Sequence, residues 1–145
     1  MKMHELSFEE TIELIRAKDP RFHRDAYHFV REALDHTQKS TGRDNRDRIR
    51  HVTGQELLGG IREYALAQFG PMAMMVLEEW GVHACRDFGD IVFNMVEIGL
   101  LAKTEEDSRA DFEEGYDFYN AFRKPFLPAS KRSESEPAPA PSSGN

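Results

Sequence analysis

His83-Ala84-Cys85 places an imidazole base two residues from a thiol, the pairing that catalysis through an activated thiolate requires. Such catalysis also needs a third group to orient the base, and the neighbouring residues offer none, so Cys85 reads as a small structural cysteine. Asp87-Phe88-Gly89 spells the magnesium-binding motif of protein kinases. The chain lacks the glycine-rich loop, the strand lysine and the His-Arg-Asp loop that give that motif its meaning, and Asp87 is instead expected to cap a helix. Six histidines, at 4, 23, 28, 36, 51 and 83, contain no i,i+4 pair and no His-Glu-x-x-His. A single cysteine supplies no second thiolate pair, so a tetrahedral zinc site lacks ligands. Serines 7, 40 and 108 sit in no nucleophile elbow, and no phosphate-binding glycine pattern occurs. The sequence therefore predicts no catalytic residue, no metal and no cofactor.

Binding is the remaining chemistry. Residues 39–51 carry Lys39, Arg43, Arg46, Arg48 and Arg50 against Asp44 and Asp47, a net +3 extended by His51, in a chain whose net charge is −7. Spaced arginines grip phosphates bidentately, so Arg43, Arg46, Arg48, Arg50 and His51 are the candidates for contact with RNA, DNA or a ribosome. The plainer alternative is a solvated connection whose arginines pair with surplus carboxylates. The overall acidity lowers the expectation of general nucleic-acid binding.

Helices must position these groups. Ser7-Phe8-Glu9-Glu10 has the pattern of a capping box, followed by Phe8, Ile12 and Ile15 at helical spacing and stopped by Asp19-Pro20. Phe22, Ala26, Phe29, Val30, Ala33, Leu34 and Thr37 form one apolar stripe of a helix from about Arg24 to Gln38. Thr53-Gly54-Gln55-Glu56 is a second capping box, with Val52 and Leu57 placed as a hydrophobic staple and Gly70-Pro71 as the stop. Gly59-Gly60 lies within that helix, implying either a close helix–helix approach or a backbone surface left open. A short apolar helix follows from Met72 to Trp80, closed by Gly81, and a fifth from Asp87 to Ile98, closed by Gly99. Leu100–Lys103 and Arg109–Phe112 then read as a β-hairpin around the turn 104–108.

The expected class is α+β, mainly helical: five helices, a short hairpin, and an order of elements that resembles a winged helix. In that frame the recognition helix would present Asp87, Asp90, Asn94 and Glu97, and the wing two glutamates and an aspartate. Those charges have the wrong sign for a DNA groove. They suit a protein partner better, which makes Asp90, Asn94 and Glu97 candidate contacts. Residues 115–126 add five aromatics; Phe118, Phe122 and Phe126 are expected to anchor inside, leaving Tyr116 and Tyr119 for a partner. The leading reading is a non-enzymatic protein-interaction module, with nucleic-acid or ribosome association as the alternative.

Several segments together resemble a small bacterial family, the Verruc_Plancto-restricted proteins. They are Asp25-Ala26-Tyr27-His28-Phe29-Val30 with Ala33-Leu34, His51-Val52-Thr53-Gly54-Gln55-Glu56-Leu57-Leu58, Asp87-Phe88-Gly89-Asp90-Ile91-Val92-Phe93-Asn94, Gly115-Tyr116-Asp117-Phe118 and Lys124-Pro125-Phe126. The likeness covers about residues 7–128. It implies a bacterial cytoplasmic protein and lends no catalytic or binding residue.

Length and composition agree with one domain over residues 1–128. Residues 129–145 are almost wholly Pro, Ala, Ser, Glu and Lys, a composition expected to stay disordered. One cysteine suits a reducing compartment. The start of the chain has no apolar run resembling a signal, and no window approaches a membrane span; the expected location is the cytoplasm.

Overall fold

The computed structural model describes residues 2–3, 7–41 and 52–128. Among them the architecture is mainly helical, with five α-helices and one two-residue pair of strands. The order is β1 (Lys2–Met3), α1 (Phe8–Lys18), α2 (Arg24–Ser40), α3 (Gly54–Phe69), α4 (Ala73–Glu79), α5 (Cys85–Glu97) and β2 (Leu101–Ala102). Short turns of other helix types follow at Arg109–Phe112, Tyr119–Arg123 and Lys124–Phe126. The predicted tail 129–145 lies outside the described residues.

The stripe predicted for α2 is the centre of the core. Phe22, Ala26, Phe29, Val30, Ala33, Leu34 and Thr37 are all buried, joined by Tyr27. His23 rather than a hydroxyl residue caps this helix, its Nδ1 accepting from the Asp25 amide at 3.0 Å. The Thr53 box on α3 forms in full: Thr53 Oγ1 accepts from the Glu56 amide and Glu56 Oε1 from the Thr53 amide, both at 3.0 Å. Val52 and Leu57 are fully buried beside it. Gly70, Gly81 and Gly99 all take positive φ at the predicted stops, a conformation that glycine adopts without the Cβ penalty.

The first predicted capping box does not form. Ser7 precedes α1, but its hydroxyl makes no cap; its carbonyl accepts from the Thr11 amide and from Thr11 Oγ1 at 2.6 Å. Asp87 does not begin α5 either. The helix starts two residues earlier, and the Asp87 carboxylate reaches back to the amides of His83 (2.8 Å) and Ala84 (3.2 Å). That single carboxylate satisfies the amide of the N-cap residue Ala84 and that of His83 just before it.

The hairpin is corrected. Leu101–Ala102 is a strand, but its partner is β1: Lys2 lies opposite Ala102 and Met3 opposite Leu101, antiparallel. Arg109–Phe112 is a 3₁₀ turn, and its sequence contains the reason. Ser108 and Asp111 make their own capping box, Ser108 Oγ accepting from the Ala110 amide at 3.1 Å and Asp111 Oδ2 from the Ser108 amide at 3.0 Å. Local side-chain acceptors of this kind compete with strand pairing for the same backbone donors. Phe112 then drops into a socket whose walls are two glycines, Gly54 of α3 and Gly89 of α5. A Cβ at Gly89 would come within 2.8 Å of Phe112 Cβ, and one at Gly54 within 3.1 Å of its ring. With its second arm a docked turn, the segment forms no wing, and the winged-helix likeness fails with it.

Candidate functional site

The catalytic letters of the sequence are all occupied structurally. Cys85 is buried, its thiol donates to the Tyr116 carbonyl at 3.4 Å, and burial pushes its pKa up to about 11. A nucleophilic cysteine needs the opposite shift. His83 points to solvent. Asp87 serves the start of α5, Phe88 is core, and Gly89 is the wall of the Phe112 socket. Among the described residues no group of three or more His, Cys, Asp or Glu is placed to hold a metal ion.

The acidic face of α5 is matched by arginines from elsewhere in the chain. Asp90 accepts from Arg21 at 3.2 Å and from Arg109 at 2.8 Å. Arg109 extends to Glu97 at 3.5 Å while its guanidinium lies over the Phe93 ring. Arg21 in turn holds both carboxylate oxygens of Asp19 at 2.8 Å and covers the Phe22 ring. Asn94 donates to Asp19 at 3.0 Å and to the Tyr27 hydroxyl at 3.1 Å. Asp90 and Asn94, predicted as partner contacts, are thus members of one network tying the end of α1 to α5. Glu97 keeps more freedom, with 69% of its side chain exposed.

Arg21 and Asn94 hold the Asp19 carboxyl well below its ordinary value of 3.8, and partial burial only partly opposes them. A carboxylate with a depressed folded-state pKa contributes stability above its unfolded value and loses it as pH falls through the folded one. Asp19→Asn is therefore expected to destabilise the protein at pH 7 and to converge with wild type as pH drops below 3.8. Denaturant melts at both pH values check this; a penalty equally large in acid would remove the charge from the account.

The aromatic segment is only partly as expected. Phe118 and Phe122 are buried, with ring centroids 5.1 Å apart and nearly perpendicular. Tyr116, predicted as exposed, donates its hydroxyl to the Leu58 carbonyl at 2.7 Å, and burial pushes its pKa up. Tyr119 is half-buried, its hydroxyl enclosed. Phe126, predicted as an anchor, is 44% exposed. Arg43, Arg46, Arg48, Arg50 and His51 lie outside the described residues. Lys39 belongs to the last turn of α2 and pairs with Asp35 at 3.2 Å.

One further surface lies between α4 and the C-terminal turns. Among the described residues the exposed large apolar side chains are Leu14, Met72, Met75 and Phe126. Met75 and Phe126 line a hollow of about 500 Å³, together with Pro71, Met74, Glu78, Arg123 and Leu127, and Met72 stands next to Pro71. One wall is α4, whose seven residues begin Ala-Met-Met-Val-Leu and bury only Ala73 and Leu77. The other is the C-terminal turn Tyr119–Arg123 with Lys124–Phe126. The sequence carries part of the signal: α4 is short and opens on five apolar residues, so burying only Ala73 and Leu77 leaves apolar side chains such as Met75 exposed.

No family model, curated protein or solved structure matches the chain. No described helix is long and apolar enough to cross a membrane.

Proposed function

We propose that this chain is a protein-interaction module whose docking surface is the groove between α4 and the C-terminal turns. One observation carries the reading: two of the four exposed large apolar side chains among the described residues, Met75 and Phe126, come from distant segments and line one hollow. Contiguous apolar surface of this kind marks interaction sites, and methionines adapt their shape to a bound surface. The acidic face of α5 supports this choice by contrast, since its carboxylates are held by Arg21 and Arg109. The likeness to the Verruc_Plancto-restricted family belongs to the same reading and adds a bacterial setting without chemistry.

The test compares crosslinked capture from the native cell by the full chain and by Met75→Glu. A captured protein lost with the variant, at unchanged circular dichroism, is the expected result; identical capture by both would sink the groove as the docking surface. Nucleic-acid association is the competing outcome. It would appear as retention on RNA that falls with salt and vanishes when Arg43, Arg46, Arg48 and Arg50 become alanine, with Met75→Glu indifferent.

A further inference from the structure

We infer that the groove is built to receive a second copy of this chain, as a two-fold symmetric dimer. The inference rests on the groove being an interaction surface and names its occupant. A two-fold interface must be self-complementary, because the same patch meets itself and every group must find its counterpart there. This patch meets that condition in shape and in charge. In shape, it offers both exposed apolar side chains and a recess: Met75 and Phe126 are about half exposed and line the hollow. Each copy can therefore insert its own ring and thioether into the other's recess.

In charge, the hollow is lined by one acid and one base, Glu78 from α4 and Arg123 from the opposite wall. They do not pair with each other, and neither forms an ion pair with another described residue. The charges between the end of α1 and α5 behave differently: Asp19, Asp90 and Glu97 are each matched by an arginine. An unmatched acid and base facing across an apolar centre are what a two-fold axis would join, Glu78 to Arg123 of the partner subunit, twice over. Buried around the apolar centre, such pairs fix the register of the two copies more than they add affinity. Stable interfaces bury about 800 Å² on each partner. The patch is centred on a few side chains, so association is expected in the micromolar range.

Sedimentation of the full chain from about 1 μM to about 1 mM, a range that brackets micromolar association, reads the result directly. The expected mass rises from 16.7 kDa toward twice that value. Met75→Glu should stay monomeric with an unchanged circular dichroism spectrum. Glu78→Arg and Arg123→Glu should each weaken association roughly tenfold or more, since each sets like charges against each other across the axis. The double variant E78R/R123E should regain it, and no merely structural role predicts that recovery. A wild-type chain that stays monomeric throughout overturns the inference. So does a dimer indifferent to Met75→Glu and to both single charge reversals, because its interface would lie elsewhere. If the chain is monomeric yet Met75→Glu still abolishes capture of a cellular protein, the interaction-module reading stands and only the second copy is excluded.

Discussion

Phe112→Ala is expected to be among the most damaging single substitutions, costing about 3–5 kcal/mol and lowering the melting temperature by on the order of 10 °C. Phe112 is fully buried, yet it sits in no regular helix or strand. Its ring fills the notch that Gly54 and Gly89 leave between α3 and α5, and it meets Phe93 edge-on at 6.4 Å between centroids. Neither glycine can close that notch once the ring is gone, because neither has a side chain to move into it. The void therefore persists, and cavities that cannot collapse lie at the costly end of the range. The same ring holds the 109–112 turn in place, assisted by Gln55, whose amide donates to the Asp111 carbonyl at 2.6 Å. Losing it should also loosen Arg109 and so release Asp90. Phe112→Leu, which keeps more of the volume, should cost about 1–2 kcal/mol. Thermal and urea melts of the two variants check the series. A loss below about 1 kcal/mol for alanine would mean that the turn is not docked as described.

What the sequence made legible was mostly local. The α2 stripe needs only a period of 3.6, the Thr53 box a spacing of three, and the stops at Gly70, Gly81 and Gly99 a residue free of the Cβ penalty. Most of the differences between pattern and structure arise from distant residues. Leu101–Ala102 does form a strand, but its partner is about a hundred residues away at Lys2–Met3, where nothing in the local pattern points. The α5 face read as free negative charge because Asp90 and Glu97 were weighed without Arg21 and Arg109, which come from two other segments. The groove is hidden from local pattern for the same reason: Met75 and Phe126 are far apart in the chain and line one hollow only in the fold. One difference is local. Ser108-Arg109-Ala110-Asp111 carries the same kind of capping signature that marks the start of α3, and it forms in the structure.

Gly59 and Gly60 are adjacent, lie in the same helix, and are expected to respond to alanine with opposite signs. Each interior glycine costs about 1 kcal/mol relative to alanine in a helix, so propensity alone predicts a gain at both. At Gly59 nothing lies within 4 Å of where a Cβ would stand, and Gly59→Ala should raise stability by about 0.5–1 kcal/mol. At Gly60 the Cβ would run into Thr37 Oγ1 and come within 2.8 Å of Thr37 Cβ and 3.1 Å of its Cγ2. Thr37 cannot swing away easily: it is β-branched, buried, and its hydroxyl donates to the Ala33 carbonyl at 2.7 Å. The overlap must then be relieved by parting α2 from α3 at the centre of the core, and overpacking of that kind costs about 1–3 kcal/mol. Since the propensity gain offsets only part of it, Gly60→Ala should lose about 1–2 kcal/mol net. Thr37→Ala removes Oγ1 and Cγ2 and should reduce the Gly60→Ala penalty by at least about 0.5 kcal/mol, a coupling expected only between touching residues. A double-mutant cycle by denaturant melts measures it. The two glycines thus separate the alternatives that the sequence left open: Gly60 is required by the approach of two helices, and Gly59 is bare backbone that packing does not require.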